Sequence, residues 1–230
     1  MSTIADNIQL VSSRIRNATQ AAGRDENSVQ LLAVSKTKPA EALREAYAAG
    51  LRDFGENYLQ EALGKQLELA DLPLIWHFIG PIQSNKTRSI AEHFAWVHSV
   101  DRLKIAQRLS EQRPADLPPL NICIQVNVSG EASKSGCTPQ DLPALAQAIS
   151  ALPRLKLRGL MAIPEPTEDR AEQDAAFAAV QKLQASLDLP LDTLSMGMSH
   201  DLESAIAQGA TWVRIGTALF GARDYSNPSR

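Results

Sequence analysis

The sequence alternates short apolar segments with longer segments rich in Ala, Leu and Gln, and it does so eight times. The short segments predict strands and the longer ones predict helices. The predicted strands are Val29–Lys36, Arg52–Gly55, Leu74–Ile79, Trp96–Val100, Asn121–Val128, Leu157–Ile163, Thr193–Met198 and Thr211–Ile215. The predicted helices lie near 40–49, 57–70, 84–93, 101–112, 139–151, 168–187 and 201–208, and a further helix near 3–22 precedes the first strand. Strict alternation predicts a parallel sheet covered by helices.

Two architectures satisfy this alternation, a closed barrel and a doubly wound open sheet. Eight strand–helix units in 230 residues fit a compact barrel, a fold that typically takes about 250 residues. The turn after the first strand, "SKTKPAEA", lacks the glycines with which an open sheet binds a dinucleotide. We therefore predict one α/β domain over residues 1–230, a single (β/α)8 TIM barrel with an extra N-terminal helix.

Charge and hydropathy exclude several classes of partner. The net charge of -3 offers no basic surplus for nucleic acid or anionic lipid. Apolar residues from Ile4 to Ile15 recur at helical spacing with polar residues between them, unlike the continuous apolar core of a signal peptide. No apolar run approaches the roughly 18 residues of a membrane span. We expect a cytoplasmic protein without a nucleic-acid or membrane partner.

Polar and small residues gather where the predicted strands end. In a barrel this rim carries the active site, because the carboxyl ends of all the strands meet there. The residues at the rim are Lys36, Lys38, Asn57, His77, His98, Asn127, Met161, Ser199, Arg214, Gly216 and Thr217. The sequence therefore predicts a site at this end of the barrel.

The last two strands carry a pattern typical of phosphate binding. Gly197 and Ser199 lead into one predicted helix, and Gly216 and Thr217 follow the eighth strand. Glycine permits close backbone approach, hydroxyls donate to phosphate oxygens, and helix starts present free amides. Such Gly-Ser turns also begin ordinary helices, so the pattern alone leaves both interpretations open.

Lys36 ends a strand that is otherwise built for burial. Leu32, Val34 and Lys36 share one face of that strand, and Lys38 would continue the face if the chain stayed extended. Desolvation and a second nearby cation lower a lysine pKa, which favours the neutral amine that forms Schiff bases. The alternative is that the strand simply surfaces there and leaves two solvated lysines in a loop.

Six extended motifs of the sequence resemble those of a known protein family. They are "LAVSKTKP", "FGENYLQE", "WHFIGPIQSNK", "GLMAIP", "MGMSHDLESAI" and "VRIGTALFGAR", in order between residues 31 and 224. With them the sequence closely resembles the pyridoxal phosphate homeostasis protein family over almost its whole length. The resemblance implies a barrel like the N-terminal domain of alanine racemase.

The resemblance also implies a cofactor and its site. Pyridoxal 5'-phosphate (PLP) would be held as a Schiff base on Lys36. Ser199, Gly216 and Thr217 would hold its phosphate, Arg214 would face the pyridine nitrogen, and Asn57, His77 and Met161 would line the pocket. Lys38 and Lys134 are candidate auxiliary residues. His200 stands where the family pattern has an acid, and we interpret it as a surface variation.

The function implied is reversible PLP binding in intracellular vitamin B6 homeostasis, with an indirect effect on amino-acid balance. We expect a monomeric, non-catalytic carrier that buffers PLP and passes it to apo PLP-dependent enzymes. An arginine facing the pyridine nitrogen makes the ring a weaker electron sink. Racemases of this architecture also use an additional β domain, for which the 230 residues leave no room.

Two alternatives stay open. One is an amino-acid racemase with His77 or Lys38 as the second base. The other is a cofactor-free Schiff-base lyase in which Lys36 attacks a carbonyl substrate. A metal site is not expected, because the four histidines, His77, His93, His98 and His200, show no converging spacing. Cys123 and Cys137 lack metal or redox spacing, and Trp76, Trp96 and Trp212 are expected to pack between the barrel and its helices.

Overall fold

The computed structural model describes residues 2–130 and 134–222, and its centre is a closed parallel barrel. The strands are β1 (Gln30–Val34), β2 (Asp53–Glu56), β3 (Ile75–Phe78), β4 (Trp96–Val100), β5 (Leu120–Gln125), β6 (Leu155–Met161), β7 (Thr193–Ser195) and β8 (Trp212–Ile215). They pair in chain order, and β8 returns to pair with β1. The predicted (β/α)8 barrel is confirmed.

Helices cover the outside of the barrel at the predicted places. They are α1 (Ile4–Ala21), α2 (Ala40–Ala48), α3 (Leu59–Glu68), α4 (Thr87–His93), α5 (Leu103–Gln112), α6 (Leu142–Ser150), α7 (Arg170–Ala185), α8 (Leu202–Ala207) and α9 (Thr217–Phe220), with a short 3-10 helix at Ser84–Lys86 before α4. Only α9 was not predicted as a helix.

The extra N-terminal helix, α1, packs against helices from the C-terminal part of the chain. Thr3 caps α1 in a reciprocal pair of hydrogen bonds with Asp6, which satisfies amides that have no partner within the helix. Its apolar stripe, Ile8, Val11 and Ile15, is buried. The helix contacts α2, α8 and α9, so it supports the elements that follow β7 and β8.

Two hydrophobic clusters lie on the two faces of the sheet. The larger fills the space between strands and helices, and Trp76 packs against it as expected. The smaller lies inside the barrel and contains Trp96 and Trp212, whose rings are 5.8 Å apart. The prediction for these two tryptophans was wrong because side chains alternate along a strand. Trp96 pairs in register with the inward-facing His77, not with Trp76.

A buried group of charges joins α3 to the ends of β1 and β2. Lys65 Nζ lies 2.7 Å from Glu56 Oε1 and 2.6 Å from Glu61 Oε1, and all three side chains are less than 10 % exposed. Lys65 also donates to the Ser35 carbonyl at 2.7 Å. A buried cation needs such partners, because desolvation of an unpaired charge costs several kcal/mol.

We predict that Gly159→Ala destabilises the barrel. A Cβ atom at Gly159 in β6 would lie 1.7 Å from the Thr193 carbonyl oxygen, so the strands must separate. The loss in unfolding free energy should be about 3 kcal/mol, the upper end for overpacking. Gly64→Ala is the matched control, because a Cβ there meets nothing within 4 Å. It should gain about 0.5–1 kcal/mol in the α3 interior. Urea denaturation measures both, and equal stabilities would contradict the prediction.

We predict that Lys65→Met costs about 3–5 kcal/mol, because it leaves two carboxyl groups in a buried place without their cation. Arg44→Met is the control. It breaks the Arg44–Asp71 pair, whose side chains are 46% and 61% exposed, and exposed pairs contribute about 0–1 kcal/mol. Chemical denaturation of the two variants compares them, and a loss no larger for Lys65→Met than for Arg44→Met would refute the structural role of this buried group.

Candidate functional site

A cavity of about 210 Å³ opens at the carboxyl ends of the strands, between β1 and β8. Its polar wall contains six residues predicted from the sequence to hold a cofactor: Lys36, Asn57, Ser199, Arg214, Gly216 and Thr217. Lys38 and His200 lie on the same wall, and the apolar part is made by Val34, Ile79, Ile163 and Met198. The barrel closure therefore collects side chains that are far apart in the sequence.

The backbone on both sides of Lys36 is held by buried polar groups. Ser35 donates from its hydroxyl to Glu56 Oε1 at 2.7 Å, and the Thr37 amide donates to Glu61 Oε1 at 2.6 Å. Burial raises the pKa of the Glu56 carboxyl, while the adjacent Lys65 opposes that rise. Because its neighbours are tied to the charged group under the strand ends, Lys36 has a fixed point of attachment at the cavity.

Thr37 turns the chain sharply after Lys36. Its φ of 65° lies in the left-handed region, which costs a residue other than glycine about 1–3 kcal/mol and occurs often at functional sites. The strand does not stay extended, so Lys38 does not continue the face of Val34 and Lys36. The condition for that expectation, a chain that stays extended as far as Lys38, is not met, because β1 ends at Val34.

Lys38 binds the chain that follows α9. Its Nζ donates to the carbonyl oxygens of Phe220, Gly221 and Ala222 at 3.1, 3.2 and 2.8 Å. A cation at a helix C-terminus is stabilised by the carbonyl groups that lack partners there. Lys38 therefore fastens the end of α9, and with it the segment of Gly216 and Thr217, to the end of β1.

Arg214 is the buried cation of the site. It is 5% exposed and donates to Ser195 Oγ at 2.9 Å and to the Ala162 carbonyl at 3.0 Å. Burial lowers the pKa of its guanidinium to about 10, so it remains charged at neutral pH. The wall that contains Lys36 therefore also carries a permanent positive charge, that of Arg214.

The loop that carries Ser199 is shaped by a glycine and held by α1. Gly197 has a φ of 98°, and a Cβ there would lie 2.5 Å from Ala205 Cβ. Arg14 donates to the Ser199 carbonyl at 3.0 Å and forms two hydrogen bonds with Glu203. The role of Arg14 was missed, because helical periodicity places it only on the polar side of α1.

Asn57 offers an acceptor without a partner. It lines the cavity, and its Oδ1 atom is buried and lacks a hydrogen bond within residues 2–130 and 134–222. An unpaired buried acceptor costs about 1–3 kcal/mol. A ligand that donates a hydrogen bond at this wall would remove that cost, so the residue fits a polar guest.

Two residues predicted to line the pocket lie beneath it. His77 and Met161 are fully buried inside the barrel and are absent from the cavity wall. Met161 belongs to the smaller hydrophobic cluster, and His77 stacks on Trp96 of the same cluster. The prediction that they line the cavity is therefore corrected.

His77 instead belongs to a hydrogen-bonded chain along the barrel interior. His77 Nε2 lies 2.8 Å from Asp53 Oδ1, and His77 Nδ1 lies 2.9 Å from His98 Nε2. His98 Nδ1 lies 2.7 Å from Ser195 Oγ, which accepts from Arg214. Burial lowers the pKa of both imidazoles, and the neighbouring His77 and Arg214 lower that of His98 further.

The convergence of His77 and His98 was not predicted from the sequence. It could have been found from the strand order, because β3 and β4 are neighbours and His98 lies two residues beyond Trp96, the partner of His77. Even so, no group of three or more His, Cys, Asp or Glu side chains in the described part of the chain is arranged to hold a metal ion.

Lys134 and His200 lie at the edge of the site. Lys134 lines a neighbouring cavity that shares Asn57 with the first, and its Nζ lies 3.9 Å from Glu165. His200 is 47% exposed, with its Nε2 3.4 Å from Asp201 Oδ2. It is a rim residue at the surface, as expected, although it also contributes to the cavity wall.

Cys123 and Cys137 are both free and buried, and burial raises the pKa of their thiols to about 12 and about 11. Within the described ranges, no helix combines the length and the apolar character needed to cross a membrane.

Known proteins share the sequence and the barrel of this chain. The family model for the alanine racemase N-terminal domain matches residues 5–224. The pyridoxal phosphate homeostasis protein of Pseudomonas aeruginosa is 79% identical over 229 residues, which cover 100% of both chains. PipY of Synechococcus elongatus, solved with PLP bound, is 45% identical with a TM-score of 0.80, over 90% of this chain and 100% of that one.

A more distant structure shows the fold alone. Alanine racemase from Corynebacterium glutamicum is 18% identical with a TM-score of 0.66, over 94% of this chain and 62% of that one. The barrel is thus shared with the racemases, whereas the sequence agreement extends over the whole of the homeostasis protein. The chain belongs to the pyridoxal phosphate homeostasis protein family, whose barrel is that of the alanine racemase N-terminal domain.

Proposed function

We propose that this chain binds PLP reversibly at Lys36 and acts in PLP homeostasis. The observation that carries the proposal is the cavity itself, which brings the primary amine of Lys36 together with the buried guanidinium of Arg214 and two hydroxyl groups. The relatives named for this function support it, as does the PLP bound to PipY. Aldehyde, aromatic ring and phosphate each find a suitable partner in one small space.

The residues divide the ligand between them. Ser199 and Thr217 would donate hydroxyl hydrogen bonds to the phosphate, and Gly216, which has no side chain, would let the backbone approach it. A Cβ at Gly216 would also lie 3.2 Å from the Val34 carbonyl oxygen, so the turn packs closely against β1. Arg214 would place its charge at the ring. When bound, PLP supplies an electrophilic aldehyde that condenses reversibly with a primary amine.

A carrier fits this cavity better than a racemase. Racemisation calls for an acid/base group on each face of the substrate. Of the second bases considered from the sequence, His77 is away from the cavity wall, and the Lys38 amine is engaged by three carbonyl groups. His200, which is on the wall, is open to solvent at the rim. We therefore favour a PLP buffer that passes the cofactor to apo-enzymes.

Four features of the protein are proposed in addition to PLP binding at the cavity. The cytoplasmic location, the monomeric state, the single domain over residues 1–230 and the transfer to apo-enzymes remain predictions. Lys134, in the adjoining cavity, is proposed only as an auxiliary residue near the mouth.

We predict that the purified protein, with PLP added, shows a visible absorption band that borohydride reduction removes, and that peptide mass mapping places the label on Lys36. Lys36→Ala should abolish the band and the label, because the condensing amine is gone. Lys182→Ala, a change of an exposed lysine on α7, is the control and should leave both intact. Absence of the band from the unmodified protein would contradict the proposal and favour a cofactor-free lyase.

We predict that Lys38→Met weakens PLP binding without removing its covalent attachment. The change removes the three hydrogen bonds that tie the end of α9 to Lys38, and a hydrogen bond to a charged group typically contributes about 1.5–3 kcal/mol. We expect about tenfold weaker affinity, which corresponds to about 1.4 kcal/mol. Absorption titration measures the affinity. If Lys38→Met instead abolishes the borohydride-reducible label, Lys38 rather than Lys36 is the attachment point.

A further inference from the structure

A continuous chain of hydrogen bonds runs through the barrel from the amino-terminal end of β2 to the cavity at the carboxyl ends of the strands. It begins at Asp53, the first residue of β2, whose side chain is 23% exposed, and it ends at Arg214 on the cavity wall. The members between them, His77, His98 and Ser195, are fully buried. The four links have heavy-atom distances of 2.8, 2.9, 2.7 and 2.9 Å.

The ends of the chain determine which way its protons point. A carboxylate only accepts hydrogen bonds and a guanidinium only donates them. His77 must therefore carry its proton on Nε2, facing Asp53, and accept at Nδ1 from His98 Nε2. His98 then accepts at Nδ1 from the Ser195 hydroxyl, which leaves Ser195 Oγ free to accept from Arg214. Every donor points from Arg214 toward Asp53.

Reversal of this order would leave poor contacts. With His77 protonated on Nδ1, the Nε2 lone pair would face the Asp53 carboxylate at 2.8 Å. His98 would have to donate to Ser195, whose own hydroxyl proton would lose its acceptor in a fully buried place. Each of these would cost about the desolvation penalty of an unpaired polar group, about 1–3 kcal/mol.

We propose that Asp53, His77, His98 and Ser195 form a directed relay of hydrogen bonds that positions Arg214 in the cavity. Hydrogen bonds in a chain polarise one another, so the negative charge of Asp53 makes Ser195 Oγ a stronger acceptor for the guanidinium. These four are positioning residues that act through Arg214. The part of the proposal that concerns ligand binding rests on the proposed function, whereas the direction of the chain does not.

The direction is tested without any ligand, by nitrogen NMR of protein labelled at its four histidines. His77 and His98 should both appear as the neutral tautomer with the proton on Nε2. Asp53→Leu removes the terminal acceptor, and the tautomer balance should change at His98, two hydrogen bonds away, while His93 and His200 stay unchanged. A proton on His98 Nδ1 in the unmodified protein, or no change at His98 in the variant, would overturn the relay.

Binding is tested by a double-mutant cycle on PLP affinity. Asp53→Leu and Ser195→Ala should each weaken binding about three- to tenfold, and the double variant should be no weaker than Ser195→Ala alone, because Asp53 acts only through Ser195. Asp71→Leu, a change in an exposed pair on the outer surface, should have no effect. Additive losses would show that Asp53 contributes only to general stability and would refute the positioning role.

A variant that does not fold and a protein that does not bind PLP can be told apart from a failure of the relay. Should Asp53→Leu not fold, Asp53→Asn removes the charge and keeps an acceptor, and it should change the His98 signals and the affinity in the same direction by less. Should the unmodified protein not bind PLP, the proposed function fails, and the nitrogen spectra still decide whether the directed chain exists.

Discussion

The pairing of β8 with β1 is the constraint on which the site depends. Leu32 lies beside Arg214 and Ala33 beside Ile215 in this ladder, so the residue that ends β1 comes next to the turn that follows β8. Parallel pairing aligns strand ends at one rim. Lys36 and Thr217, far apart in the sequence, therefore share one cavity wall. Without closure of the barrel, Lys36 and the residues that follow β8 would lie on separate edges of a sheet.

Buried charge strengthens this arrangement on the β1 side. Lys65, Glu56 and Glu61 form hydrogen bonds with Ser35 and Thr37, and Lys38 forms hydrogen bonds with the end of α9. Such groups are expensive to desolvate, and they are tolerated when each charge has partners. Here the partners include backbone groups on both sides of Lys36. The same interactions that satisfy the charges also limit the motion of the Lys36 backbone.

Much of the fold was predictable from the sequence, because alternating strand and helix signals are strong and eight repeats leave few architectures. Lys36 and the turns after β7 and β8 were predicted from their positions after strands, and the structure brings them to one cavity wall. The ends of strands were less predictable. The predicted β1 reached Lys36, whereas the strand ends at Val34 and the chain turns at Thr37, a conformation that depends on contacts with α3.

Residues that face the barrel axis were the hardest to predict. Periodicity shows that a strand has two faces, but it does not show which face of a short strand points inward. Trp96, Trp212, His77 and Met161 were therefore assigned to the wrong surroundings. The link between His77 and His98 needs both the strand order and the register, and Arg14 needs the position of α1 against α8.

The filled interior of the barrel closes the cavity on the side of the barrel axis. Trp96, Trp212 and Met161 occupy the axis below Arg214, together with the two histidines, and all are nearly or fully buried. A packed layer of this kind blocks small molecules, because voids larger than a water molecule are few in such interiors. Among the described residues, a molecule in this cavity would therefore enter and leave at the rim of the barrel, where Lys38 and His200 lie, and not along the barrel axis.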